Sequence, residues 1–236
     1  MTSIKDPKKY NVIGTRPLRP DGTDKVTGRA LYGADFEITG LLHGKILRSP
    51  HPHARIKSIN FDEALKIDGV LAVVTSKDLP DNPDGTSSIA YGRGNILAKD
   101  KVLYVGHAIA GVAAINSHIA EEALEAIAVD YEILSPSLSV EEAMDDNSEI
   151  IHENAFMKEF GEMTTTNNNI DEHFQHKMGN VSKGFEEADL VIEEKYSTVM
   201  VHQGYIEPHA ATALWKADGS ITVWNSTQGS FPDRDE

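Results

Sequence analysis

Histidine and carboxylate side chains move protons and bind metals, and this chain gathers them in two places. His51-Pro52-His53 sets two imidazoles around a proline. On an extended segment both rings fall on one face. The stretch HQGYIEPH holds His202, Glu207 and His209. Neither place has the i, i+4 helical spacing of a His-Glu-x-x-His zinc site, and two imidazoles alone do not complete a metal's coordination. Histidines satisfied within the structure or at the surface are the simpler reading. Glu207 has the right chemistry for a general base, but its setting equally suits a buried acid hydrogen-bonded to backbone.

Composition excludes other chemistries. The 236 residues include ten histidines and no cysteine. A thiol nucleophile, a disulfide and a thiolate-bound iron–sulfur cluster are therefore ruled out on this chain. Tyr91-Gly92-Arg93-Gly94 lacks both the strand-to-helix setting and the Lys-Ser/Thr of a phosphate loop. No Gly-x-Gly-x-x-Gly fingerprint and no Gly-x-Ser-x-Gly elbow occurs. A net charge of −15 disfavours nucleic acid and an anionic membrane as partners. No apolar run approaches the ~18 residues that span a bilayer. The opening MTSIKDPKKYNVIG has no apolar core of a signal peptide, so the expected address is the cytoplasm.

The elements that must position these residues follow from periodicity. Residues 1–24 are polar and rich in Pro and Gly, and read as an extended arm. Residues 41–47, 55–61, 70–75, 101–105 and 109–115 read as strands, and 81–95 as a turn-rich loop. Asp62 is placed to cap a short helical piece, and Ser117 to cap a helix over 118–128. In that helix Ile119, Ala123 and Ile127 share a face. A strand over 129–132 follows. Short strands mixed with a good helix up to about Glu142 indicate an α+β domain. Residues 145–177 contain DDNSE and TTTNNN with little apolar periodicity, and read as a linker. Beyond it, 181–188 reads as a short helix and 190–201 as a strand. Residues 209–215 and 221–228 form a hairpin turned by Asp218-Gly219. The tail FPDRDE reads as a starting helix, with Pro232 in its first turn.

Four stretches are more specific than any of these motifs: IGTRPLRPDGTDKVTGRALYGADF (13–36), LLHGKILRSPHPHARIKSIN (41–60), GVLAVVTSKDLP (69–80) and KVLYVGHAIAGVAAINSHIAEEALEAIAVDYEILSP (101–136). In this order they closely resemble the a/b hammerhead domain. That domain is the N-terminal part of the molybdenum-cofactor subunit in the xanthine dehydrogenase and aldehyde oxidase family. The flavour is bacterial, similar to the large subunit of 4-hydroxybenzoyl-CoA reductase. Residues 180–215 and 221–228 resemble the opening of that family's molybdopterin-binding domain. The resemblance implies a hammerhead at 25–144 behind the arm at 1–24. A linker at 145–177 and an incomplete, β-rich piece of the molybdopterin-binding domain at 178–236 follow.

The resemblance also implies a site. In the family, the glutamine of a Ser-Thr-Gln stretch lies beside the metal and hydrogen-bonds an oxygen ligand of molybdenum. That position is Gln228 here, and Gly229 next to it would let backbone approach the cofactor closely. Glu207 is expected to support the site, and His51, Pro52 and His53 to pack or form an interface. The family's Gly-Gly-x-Phe-Gly-Gly segment and its later catalytic glutamate do not occur in this sequence. The implied reading is a partial or split subunit of a molybdenum oxidoreductase, inactive alone. A second chain would carry the rest of the domain, an iron–sulfur subunit the 2Fe-2S clusters and another subunit FAD. The cofactor would be molybdenum-molybdopterin, in cytosine dinucleotide form. The competing reading is a stand-alone, non-catalytic hammerhead module or a truncated product.

Overall fold

The computed structural model describes residues 11–79 and 95–235. It divides into two compact units, Gly40–Glu193 and a second made of Met1–Thr39 with Glu194–Glu236. The expected loop over 81–95, including Tyr91-Gly92-Arg93-Gly94, falls outside the described residues except for Asn95.

The N-terminal stretch is not extended throughout. A short helix, α1 (Gly22–Thr27), closes on Gly28, whose left-handed φ of 72° ends it. The Gly40–Glu193 unit then builds two three-stranded sheets. One has the order β1-β5-β3, from β1 (His43–Arg48), β3 (Val70–Thr75) and β5 (Ala108–Ala114), all antiparallel. The other has the order β4-β2-β6, from β2 (Ala54–Asn60), β4 (Lys101–Val102) and β6 (Ala128–Ile133). Helix α2 (Ser117–Glu125) covers the first sheet, and Ala110, Val112 and Ala114 meet Ala120, Ala123 and Ile127 in one core. Small side chains let backbone approach backbone, so this core has little room for larger residues. A second core joins Ala54, Ala98, Val102 and Ile109. The α+β expectation holds.

Several boundaries differ from the sequence reading, each for a local reason. Helix α2 is capped by Asn116, not Ser117: the Asn116 side chain accepts from the Ile119 N–H at 2.9 Å. The helix stops at Glu125, not 128, because Ala128 already pairs with Asn60 in the sheet. Asp62 caps nothing. Its N–H donates to Asn60 Oδ1 at 3.0 Å, and the helical piece shrinks to a 3-10 turn at Ala64–Lys66. Strand β4 ends at Val102, since the Leu103 N–H turns to donate to His107 Nδ1 at 3.2 Å.

The largest difference lies in 145–177. The segment is no structureless linker. After α3 (Val140–Ala143) come β7 (Lys158–Glu159), β8 (Glu162–Met163) and β9 (Glu172–His173), paired as β8-β7-β9. The asparagines of TTTNNN act as brackets. Asn169 donates to Ala143 O and Glu149 O and accepts from the Ile151 N–H. Asn167 donates to Glu153 O and Ala155 O at 2.7 and 2.8 Å. Lys101 fastens the segment to β4: its ammonium, 2% exposed, donates to Ile150 O at 2.8 Å and lies 3.1 Å from Glu153 Oε1. Arg55 reaches the same carboxylate at 2.8 Å.

Helix α4 (Val181–Glu187) follows, capped by Asn180. The strand expected over 190–201 is absent: those residues carry apolar side chains in part alternation but pair with no strand among the described residues. The hairpin is present as β10 (Ala211–Trp215) and β11 (Ile221–Asn225), and α5 (Ser230–Asp235) begins where the tail's Pro and acidic residues place it. Among the described residues no helix is long and apolar enough to cross a membrane.

Two outcomes test this packing. Gly69 sits at φ 92°, and a Cβ there would lie 2.9 Å from both Ile115 and Ile119. Gly69→Ala is expected to lower unfolding free energy by about 2–4 kcal/mol in urea titration, combining strain with overpacking. The two cationic hydrogen bonds, from Lys101 first and then Arg55, hold the Glu153 carboxyl below its ordinary range. A carboxylate depressed on folding contributes stability above its unfolded pKa, and that stability is lost as pH falls through the folded pKa. Wild type should therefore lose thermal stability below about pH 4.5, and Glu153→Gln should flatten that part of the Tm-against-pH curve.

Candidate functional site

Strand β11 ends at Asn225, and the next four residues turn the chain into α5. Asp233 makes the turn rigid. One of its oxygens accepts from Asn225 Nδ2 at 2.6 Å and the other from Thr227 Oγ1 at 2.9 Å. The Thr227 hydroxyl also accepts from the Gly229 N–H at 3.1 Å. Gly229 O accepts the first helical bond, from the Asp233 N–H. On the other side, Ser226 Oγ donates to Glu207 Oε1 at 3.0 Å, and the Ser226 N–H donates to Ala210 O. Every residue around Gln228 is thus pinned. Gln228 itself is exposed, and its carboxamide takes no part in the turn's hydrogen bonds.

Gly229 uses its missing side chain internally. A Cβ would stand 3.2–3.3 Å from the Pro232 ring, so glycine lets the proline start the helix against the turn. Gly33 plays a similar part from the N-terminal stretch: a Cβ there would lie 3.0 Å from Ala210 O and 3.3 Å from Ser226 Oγ. Phe36 packs on Trp224 with ring centroids 5.1 Å apart. Residues near the start of the chain therefore support the strand that ends in the turn.

The histidines separate into different roles. His202 and His209 flank the Tyr205 ring, each with centroids 4.9 Å from it, and the Tyr205 hydroxyl is bonded to His209 Nε2. His202 Nδ1 accepts from the Gly204 N–H. These contacts tie one loop to itself. Glu207 is exposed, and Ser226 is its hydrogen-bond partner. His51 packs edge-on against Tyr131 at 4.8 Å. His53 is 3% exposed, and its Nδ1 donates to Ser135 O at 2.8 Å. His107 is buried between two backbone partners, with Nε2 donating to Asn95 O at 2.9 Å, and burial lowers its pKa. Among the described residues no three His, Asp or Glu side chains gather where they could hold a metal ion.

Sequence reasoning does not single out Asn225, Thr227 or Asp233. Their signal is present, an Asn and a Thr before a helix start and an Asp in its first turn. Such residues are common at any cap, so the pattern does not mark a site by itself.

Comparison with known proteins places this turn in context. The family description for the a/b hammerhead domain of aldehyde oxidase and xanthine dehydrogenase matches residues 27–135. The molybdopterin cofactor-binding domain matches residues 162–236, which include Gln228. The chain is 39% identical over 218 residues to a probable xanthine dehydrogenase subunit from Bacillus subtilis, covering 92% of this chain and 27% of that protein. It is 34% identical over 229 residues to the nicotinate dehydrogenase large molybdopterin subunit of Eubacterium barkeri, covering 97% and 50%. In three dimensions it matches the solved copper- and molybdenum-containing CO dehydrogenase with a TM-score of 0.78 at 26% identity, over 94% of this chain and 28% of that one. The chain thus spans about a quarter to half the length of these relatives. A free carboxamide on a rigid turn suits one hydrogen-bond donor to a polar cofactor. It does not make a complete binding site.

Proposed function

Because the chain belongs to the xanthine dehydrogenase and aldehyde oxidase family, we propose that it works as part of a molybdopterin-binding large subunit. It would contribute one edge of the molybdenum site within a larger assembly. One observation carries this reading. Among the described residues every buried apolar side chain lies between Ala54 and Ala155, and the unit that contains Gln228 has none. Its hairpin leaves Trp215, Ile221 and Val223 more than half exposed, on one face. Such a face reaches ordinary stability only when something covers it.

The proposed roles rest on the family resemblance, and the geometry of the turn supports them. Gln228 donates an amide N–H toward the cofactor. Asp233, through Asn225 and Thr227, fixes the direction of that donor, and Glu207 fixes Ser226 behind it. Pinning the backbone lowers the entropy that the side chain loses when it engages a ligand. When bound, the molybdenum cofactor supplies two-electron exchange with a carbon centre, and its proposed form is the cytosine dinucleotide. With no cysteine among these 236 residues, thiolate-held 2Fe-2S clusters would lie outside them, on a partner subunit, with FAD on another. The substrate class suggested by the relatives' names is a small heterocycle or an aldehyde, with an aromatic thioester as the alternative from the sequence resemblance.

Native mass spectrometry with metal analysis, on the chain drawn mildly from its source cells, tests the proposal. The expected result is a complex containing molybdenum and iron. In that complex Gln228→Ala should keep the assembly but lower turnover about 10- to 100-fold, the usual scale for a partner outside the metal's own ligands. A metal-free chain or homo-oligomer would refute the proposal and favour a non-catalytic module. Unchanged kinetics in the variant would remove Gln228 from the site.

A further inference from the structure

A second turn, Tyr32–Asp35, lies against the residues that hold the Gln228 turn, within the same compact unit. It closes on itself. The Asp35 N–H donates to Tyr32 O at 2.9 Å, and Asp35 Oδ2 accepts from the Tyr32 N–H at 2.9 Å. Before it, the Lys25 ammonium of α1 lies 5.9 Å from the centre of the Tyr32 ring. After it, Phe36 packs on Trp224 of β11. The turn is thus anchored on both sides, and Gly33 occupies its second position.

Backbone conformation does not explain the glycine. Gly33 has no positive φ, so no left-handed strain opposes a larger residue there. Space does explain it. A Cβ at this position would stand 3.0 Å from Ala210 O and 3.3 Å from Ser226 Oγ. At such separations the neighbours must give by a few tenths of an ångström. The same two oxygens fix Ser226. Ala210 O accepts from the Ser226 N–H at 3.3 Å, and Ser226 Oγ donates to Glu207 Oε1 at 3.0 Å. One added methyl group would therefore press on both bonds at once. On the far side of Ser226, Asn225 and Thr227 are already tied to Asp233.

We propose that Gly33 is a positioning residue for the molybdenum site. Its missing side chain lets Ser226 seat on Ala210 and Glu207, and Ser226 in turn sets where the Gln228 carboxamide points. The inference rests on the proposed role of Gln228 and extends it to the Tyr32–Asp35 turn. Gly33→Ala, Gln228→Ala and the double variant test it. Steady-state kinetics are measured on the molybdenum-containing complex. Hydrogen exchange is measured on that complex and on the full chain alone, so this readout does not depend on activity. With no left-handed strain at position 33, Gly33→Ala should fold. Its amides at 226–229 should exchange about 10-fold faster, while the ladder amides of β10 and β11 keep their wild-type rates. A full ångström of misplacement costs about 100-fold, so a shift of a few tenths should lower kcat about 3- to 10-fold with KM little changed. In the Gln228→Ala background the same substitution should cost nothing further, because Gly33 acts through Gln228. Additive losses in the double variant would overturn the proposal. So would unchanged exchange at 226–229, or faster exchange over the whole hairpin, the result expected of a purely structural glycine. Unchanged turnover in Gln228→Ala alone would instead refute the role of Gln228 itself, and the role of Gly33 in positioning it would fall with it.

Discussion

A buried ammonium cannot be left unpaired, and Lys101 imposes that rule on a large part of this molecule. It sits on β4 with almost no exposure, so it needs a carboxylate and a carbonyl close at hand. Both come from one short stretch, Ile150 and Glu153. Arg55 on the neighbouring strand shares the carboxylate, which joins β2, β4 and the following segment at one point. The polar segment 145–177 has almost no core of its own, Ala155 being its buried apolar residue. Side-chain amides and one buried charge hold it instead.

The Gln228 turn obeys a similar constraint with a different group. A strand that ends and a helix that begins both leave backbone and side-chain polar groups without partners. Asp233 takes two of these, from Asn225 and Thr227, and its own N–H starts the helix on Gly229 O. Everything local is satisfied, and the exposed carboxamide of Gln228 remains available. This division, with rigid neighbours around one uncommitted donor, is what a contact to a cofactor requires. The supporting residues come from far apart in sequence, with Gly33 and Phe36 at one end and Glu207 to Asp233 at the other.

The parts of the fold that are legible in sequence are those governed by periodicity. Val70–Thr75 is legible to the residue, and β2, β5, β6, the hairpin and α2 to within a few residues. Caps are ambiguous where two candidates stand side by side: Asn116 and Ser117 can both cap a helix, and backbone geometry chooses the first. The TTTNNN tract is illegible for a deeper reason. Asn167 and Asn169 bond to residues 12 to 26 positions away, and no local pattern reports that distance. Lys101 is equally opaque, since a lysine in a short apolar run gives no sign that it is buried. At the candidate site, the Ser-Thr-Gln stretch is recognisable by resemblance, whereas the clamp by Asp233 is not.

The stretch 190–201 shows what periodicity alone cannot supply. Its apolar residues recur as in a half-buried strand, yet Leu190, Ile192, Tyr196, Val199 and Val201 stand more than 70% exposed and no ladder forms. A strand is stabilised by cross-strand contacts and ladder hydrogen bonds, and without a neighbour the same residues gain neither. The alternation therefore describes a propensity that no described part of the chain satisfies. Trp215, Ile221 and Val223 on the hairpin make the same point for a face instead of an edge. The Gly40–Glu193 unit, by contrast, closes two cores of its own around Ala110 and Ala54. One unit closes buried cores and the other has none among the described residues. On the proposed reading, the unit that carries Gln228 is completed by the assembly in which that residue works.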